Sequence, residues 1–135
     1  MSWAHSLIRL STYEAEVLQR RLAEIVERRL AVDLRLAILE AEGEAEAIFS
    51  ADEAAASLYR AGFLEGLRIR KARVQAEIDA IGLEELGARD VLAEAFETQK
   101  KYEKIAENIR LTEVKQVARR ERAELDELGL RRAVR

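Results

Sequence analysis

The side chains able to do chemistry in this chain are few and badly placed for it. His5 is the single histidine, there is no cysteine, and the glycines are isolated, so neither a phosphate loop nor a dinucleotide fingerprint occurs. Without thiolates or a second imidazole, soft or nitrogen-rich metal sites have no ligands. Carboxylates are abundant, and Glu40 and Glu44 would share one face of a helix. Paired acids do acid–base work only inside a pocket that separates their pKa values; on an open helix they are solvated ion-pair partners. These residues predict a chain that is not an enzyme and carries no cofactor or metal. Its chemistry is contact with other proteins.

The elements that position these groups follow from composition. Across 135 residues, 36% are charged, only 5% are aromatic, and proline is absent. Such a mixture matches long helices better than a layered core, and a chain without proline can run helical without interruption. Positions Ile8, Ser11, Ala15, Leu18, Leu22, Ile25, Arg29, Val32, Leu36 and Leu39 step by three and four, which is a heptad seam. A second seam runs through Phe63, Leu67, Arg70, Val74, Ile78, Ile81, Glu85, Ala88, Leu92, Ala95, Gln99, Tyr102, Ala106 and Ile109. It contains one extra four-residue step, placed here around Val74, which unwinds the supercoil locally. Arg29 interrupts the first seam. It either extends its head to water or fixes register against a facing acid, and the first is the expectation.

Two narrow seams in one chain require a reversal between them. The predicted fold is all-α, a single antiparallel two-helix coiled-coil hairpin over 1–135, with arm one about 4–48, a turn about 48–53 and arm two about 53–130. Ser50 with Glu53 reads as a capping box, and Phe49 as its staple residue. Gly62 and Gly66 offer a rival turn, or a place where a partner approaches closely. Ser11 with Glu14 is a further capping match inside the first seam. Beyond Ile109 the apolar spacing loosens into Val114, Val117, Leu125 and Leu128. From about Arg110 the second arm therefore has no intramolecular partner, and it is either a docking helix or a disordered end.

Charge narrows the partners. The net charge of −3 lacks the basic footprint that nucleic acid demands. Basic clusters at Lys100, Lys101 and Lys104 and at Arg119, Arg120 and Arg122 are interleaved farther on with Glu121, Glu124, Asp126 and Glu127. From Arg110 onward there is no Trp or Phe to seat in a lipid surface, no stretch is apolar enough to span a membrane, and the opening residues lack a basic leader. The stretch Glu40, Glu42, Glu44, Glu46, Asp52, Glu53 contains no basic residue, whereas Arg68, Arg70, Lys71 and Arg73 follow. Such blocks are solvated faces or protein-docking surfaces.

The opening Leu7-Ile8-Arg9-Leu10 and the segment Glu16 to Glu27, with Leu18, Arg20, Arg21, Leu22 and Ala23, resemble the flagellar export protein family FliJ. So does the stretch Phe96 to Arg110, with Lys100, Lys101, Tyr102 and Glu103. The resemblance implies an antiparallel coiled coil similar to the central stalk of rotary ATPases. It would be cytoplasmic and peripheral at the export apparatus, reaching the membrane only through its partners, and would serve flagellum biogenesis and motility. The implied partners are the export ATPase hexamer, the cytoplasmic domain of the export gate protein, and export chaperones. Leu39, Phe63 and Leu67 match the apolar positions of the family's gate-contacting surface. Arg70 and Val74 depart from it, as do acidic residues on arm one where aromatics are expected. For the ATPase the implied contact is the terminal basic segment, Arg119, Arg120, Arg122, Arg131 and Arg132, steered toward an acidic ring. The competing expectation is a self-associating scaffold or adaptor of an unrelated pathway, in which two copies bury each other's seams.

Overall fold

The computed structural model describes residues Ser2–Phe49 and Ala56–Val134, and all of them are helical. Helix α1 is Ser2–Phe49 and helix α2 is Ala56–Val134. Both are built largely from Ala, Leu, Glu and Arg, the strongest helix formers, with no proline to break the ladder. Arg131 and Arg132 lie in the last turn of α2, where positive charge complements the helix dipole. The two helices pack against each other as an all-α two-helix hairpin. Of the predicted turn at about 48–53, Ile48 and Phe49 still belong to α1; its remainder, with the Ser50–Glu53 box, lies outside the described residues, as does the side chain of Phe49.

The chain divides into two compact units, Val17–Leu92 and Met1–Glu16 with Ala93–Arg135. In the first, Arg28 reaches Glu84 at 2.6 Å and Arg35 reaches Glu77 at 2.8 Å, so the helices run antiparallel. The apolar centre extends along the same stretch and beyond both ion pairs. Ile25, Val32, Val74 and Ile81 are buried, with Leu36, Leu39, Ile78 and Ala88 packed against them. Every member of the first predicted seam is buried or half-buried. Each fully buried aliphatic side chain contributes about 1.5–3 kcal/mol, and in so thin a fold these few side chains are the hydrophobic stabilisation.

The second seam holds with one change. Arg70 is exposed, and Lys71 is the half-buried residue in that turn. The two successive four-residue steps therefore run Phe63–Leu67–Lys71, and the stutter centres on Leu67 instead of Val74. Lysine suits this place because its aliphatic stem covers the seam while its ammonium reaches water. Gly62 and Gly66 do not turn the chain, since α2 passes through both without a positive φ, and nothing stands within 4 Å of a Cβ built at either. The close approach occurs at Gly43, where such a Cβ would lie 2.6 Å from Leu67 Cδ2. Leu67 packs onto bare backbone, and α1 comes nearer than any larger residue allows.

The Arg29 expectation is overturned. Arg29 Nη1 donates to Glu85 Oε2 across the helix pair, and Arg89 Nη2 donates to Glu85 Oε1 at 2.8 Å. The antiparallel register sets the two charged seam positions opposite one another, and the Glu85 side chain is only 5% exposed. A slip of one heptad would leave Arg29 facing Ile78 or Leu92 and Glu85 without its cross-helix partner, so the pair specifies register. The Arg89 hydrogen bond, helped by the charges of Arg29 and Arg89, holds the Glu85 carboxyl below its ordinary value of 4.5 against the upward push of burial. A carboxylate whose pKa falls on folding contributes stability above its unfolded pKa and loses it as pH drops through the folded value. Glu85→Gln is thus expected to lower stability at neutral pH and to flatten the acid limb below 4.5. Urea titrations followed by circular dichroism from neutral to acid pH check this; an unchanged acid limb would remove Glu85 from that role.

In the other unit the pairing residues are smaller and more polar. Ala4, Ser11 and Ala15 are buried on α1, and Ala95, Gln99, Tyr102, Ala106 and Ile109 are half-buried on α2. Ser11 Oγ donates to the Ile8 carbonyl at 2.9 Å, which satisfies a buried hydroxyl inside the helix. It caps nothing, because α1 is already helical from Ser2. Gln99 Nε2 donates to Thr12 Oγ1 at 3.1 Å across the pair.

Candidate functional site

Half-buried seam positions end at Ile109. From Arg110 to Val134 every residue of α2 is exposed, although the helix continues without a break. The first half of this segment has its own local support: Arg110 binds Glu107 at 2.7 Å, and the Thr112 hydroxyl donates to the Asn108 carbonyl at 2.8 Å. Arg110 and its neighbours thus form helix on internal pairs at three- and four-residue spacing, each worth a few tenths of a kcal/mol. The segment is helical, where the sequence left a docking helix and a disordered end both open.

All five terminal arginines singled out from the sequence are exposed. Arg131 is tied to Glu127 at 3.2 Å, while Arg119, Arg120, Arg122 and Arg132 form no ion pair among the described residues. They do not make one stripe. At about 100° per residue, Arg119 and Arg122 share one side, Arg120 and Arg131 another, and Arg132 stands apart from both. Positive charge therefore surrounds the helix instead of marking a single face.

Leu39, Phe63 and Leu67 lie in the Val17–Leu92 unit, but only Phe63 is both aromatic and partly open. Leu67 is 4% exposed and seated over Gly43, so its place is inside the helix pair. Leu39 packs beside the apolar centre, and its outer edge joins Ile38 and Val74 on the floor of a shallow groove. Arg70 and Arg73 rim that groove and form no ion pair among the described residues. Phe63 stacks on Tyr59 with ring centroids 6.5 Å apart and planes 20° from parallel. Tyr59 is mostly exposed, as is Ile48 on α1. Tyr59 was not singled out from the sequence, although its four-residue spacing from Phe63 on a helix was the available signal.

No group of three or more His, Cys, Asp or Glu side chains able to hold a metal occurs among the described residues. Within the same residues, no helix is long and apolar enough to cross a membrane. The grooves between the helices are open troughs, and what they can do is take up side chains of another protein.

The comparison with known proteins decides the family. The flagellar FliJ proteins of Caulobacter vibrioides strains NA1000 / CB15N and ATCC 19089 / CIP 103742 / CB 15 are each 47% identical to this chain over 131 residues, covering 97% of it and 94% of theirs. The chain belongs to the flagellar FliJ family. No protein-family model matches it, and no solved structure does. The match covers 97% of the chain, so both seams and most of the exposed end of α2 fall within it.

Proposed function

We propose that this FliJ-family chain works in flagellar protein export as a non-enzymatic coupling element. It binds the export ATPase hexamer through the end of α2 and the cytoplasmic domain of the export gate through the surface around Tyr59 and Phe63. Both partners come from the family resemblance. The observation that carries the reading is the exposed, unpaired helix from Arg110 to Val134, a rod with charge on all sides. A helix surrounded by guanidinium groups suits insertion into a ring, because an acidic lining attracts it from every direction and no single face has to be presented. Escort of export chaperones uses the same exposed apolar positions in this reading.

The gate contact is drawn more narrowly than the sequence suggested. Leu67 is withdrawn from it, because its side chain is consumed in the helix pair, and Leu39 contributes only its edge along the Ile38–Val74 groove. Phe63, half-buried and stacked on an exposed tyrosine, is the aromatic anchor, the type of residue that dominates interface energetics. Phe63→Ala is expected to weaken gate binding with little loss of helicity. The direct experiment mixes the purified chain with the export ATPase and, separately, with the gate domain. Co-migration with each and faster ATP hydrolysis are expected, and the absence of any interaction with either would overturn the proposal.

A further inference from the structure

Each helix segment that carries unsatisfied charge also carries an apolar stripe facing away from its intramolecular partner. On α1, Leu30, Leu34, Ala37, Ala41, Ala45 and Ile48 step by three and four on the side opposite the paired seam, and all are exposed. Leu34 is 62% exposed and Ile48 81%, large values for aliphatic side chains. One flank of this stripe is acidic. Asp33, Glu40 and Glu44 lie there, and none forms an ion pair or hydrogen bond among the described residues. On α2, Leu111, Val114, Ala118, Leu125 and Leu128 keep a heptad spacing interrupted by Glu121, rotated to nearly the opposite side from the seam that ends at Ile109. One flank of that stripe is basic, formed by Lys115, Arg119 and Arg122, also without partners among the described residues.

We infer that these two surfaces are made for each other and that a second copy of this chain joins them, the α2 end of one copy lying along the outer face of α1 in its partner. Three pairs share one register: Leu34 falls opposite Val114, Ala45 opposite Leu125 and Ile48 opposite Leu128. In that register Lys115 and Arg122 each stand within one turn of Asp33 and Glu40 along the axis, and both charge pairs repeat after seven residues. The acidic and basic flanks lie on opposite hands of their stripes, so they face each other when the two helices run in the same direction, as flanking positions do in parallel coiled coils. The small side chains of Ala37 and Ala41 admit close approach, and the Ala41 position leaves space for Glu121.

Each copy offers one acidic face and one basic end, so a second copy supplies the complement to either. This differs from mutual burial of the seams, which the intramolecular pairing already uses up; it occupies the same end of α2 as the proposed ATPase contact, so the two contacts exclude one another.

Sedimentation of the full chain across a concentration series tests it. A monomer–dimer equilibrium is expected, weakened by added salt. Asp33→Lys with Glu40→Lys should raise the dimer dissociation constant by about tenfold or more, and Lys115→Glu with Arg122→Glu should do the same. The four changes combined should restore the dimer, because opposite charges again face one another. Circular dichroism should remain that of the parent, since all four side chains are exposed and unpaired. A chain that stays monomeric at millimolar concentration, a dimer indifferent to the double variants, or a fourfold variant no tighter than either double would each overturn the inference.

Discussion

Leu22→Pro is expected to abolish the helix pair and every interaction that depends on it. A proline inside α1 removes a backbone hydrogen bond and clashes with the preceding turn, at a cost of about 3 kcal/mol or more, and Leu22 sits half-buried on the seam between Leu18 and Ile25. Nothing deeper can compensate, because the apolar centre of the Val17–Leu92 unit is one side chain thick. A graded companion isolates packing from backbone. Ile25 is 2% exposed in the centre of the cluster, and Ile25→Ala should cost about 2–5 kcal/mol. Thermal melts by circular dichroism are expected to show a sharply lowered midpoint for Ile25→Ala and no cooperative transition for Leu22→Pro. A parent-like melt for Leu22→Pro would mean that the seam contributes little.

Removing residues 111–135 is expected to do the reverse. Every described residue there is exposed, and the seam that pairs the helices stops at Ile109. The truncated chain should melt close to the parent, yet lose binding to the export ATPase and the associated stimulation of hydrolysis while keeping gate binding. The readout is a separation of two functions in a folded protein. If ATPase binding survives the deletion intact, that contact lies elsewhere on the chain; if the melt collapses with it, the overhang is part of the fold after all.

Sequence periodicity carried much of this architecture and failed at identifiable points. The first seam was fully legible because steps of three and four leave no choice of face once Ile8, Ile25 and Leu39 are aligned. The second went astray at Arg70 and Lys71. Two adjacent long cationic residues are interchangeable as seam members, and only the packing of Leu67 over Gly43 decides which stem is covered. Arg29 was misjudged for a different reason. Its facing acid, Glu85, is set by antiparallel register, and register depends on a turn whose position the spacing of apolar residues does not fix. Among the candidate contact residues, the exposure of the terminal arginines followed directly from the end of the seam. Their spread around the helix did not, because a cluster in sequence reads as a patch until each residue is turned by its 100°. The outer stripe of α1 is not legible in the sequence, because Leu30, Leu34 and Ile48 are indistinguishable there from scatter around the seam.

The bare backbone at Gly43, covered by Leu67, also bears on how the chain finds its fold. Contacts nearer the reversal close shorter loops, and the entropy of closure grows with each doubling of loop length by about 0.6 kcal/mol. The Gly43–Leu67 contact closes the shortest loop among those described, the Arg28–Glu84 pair spans a separation of 56, and the Thr12–Gln99 bond one of 87. On loop-closure entropy alone, the contact at Gly43 is expected to form at the lowest cost and the Thr12–Gln99 bond at the highest. The same gradient operates in reverse in the folded molecule. Amide exchange is expected to be faster along the alanine- and hydroxyl-lined pairing from Ala4 to Ala15 than beside the Gly43–Leu67 contact, so pairing can loosen at one set of contacts while another keeps the register.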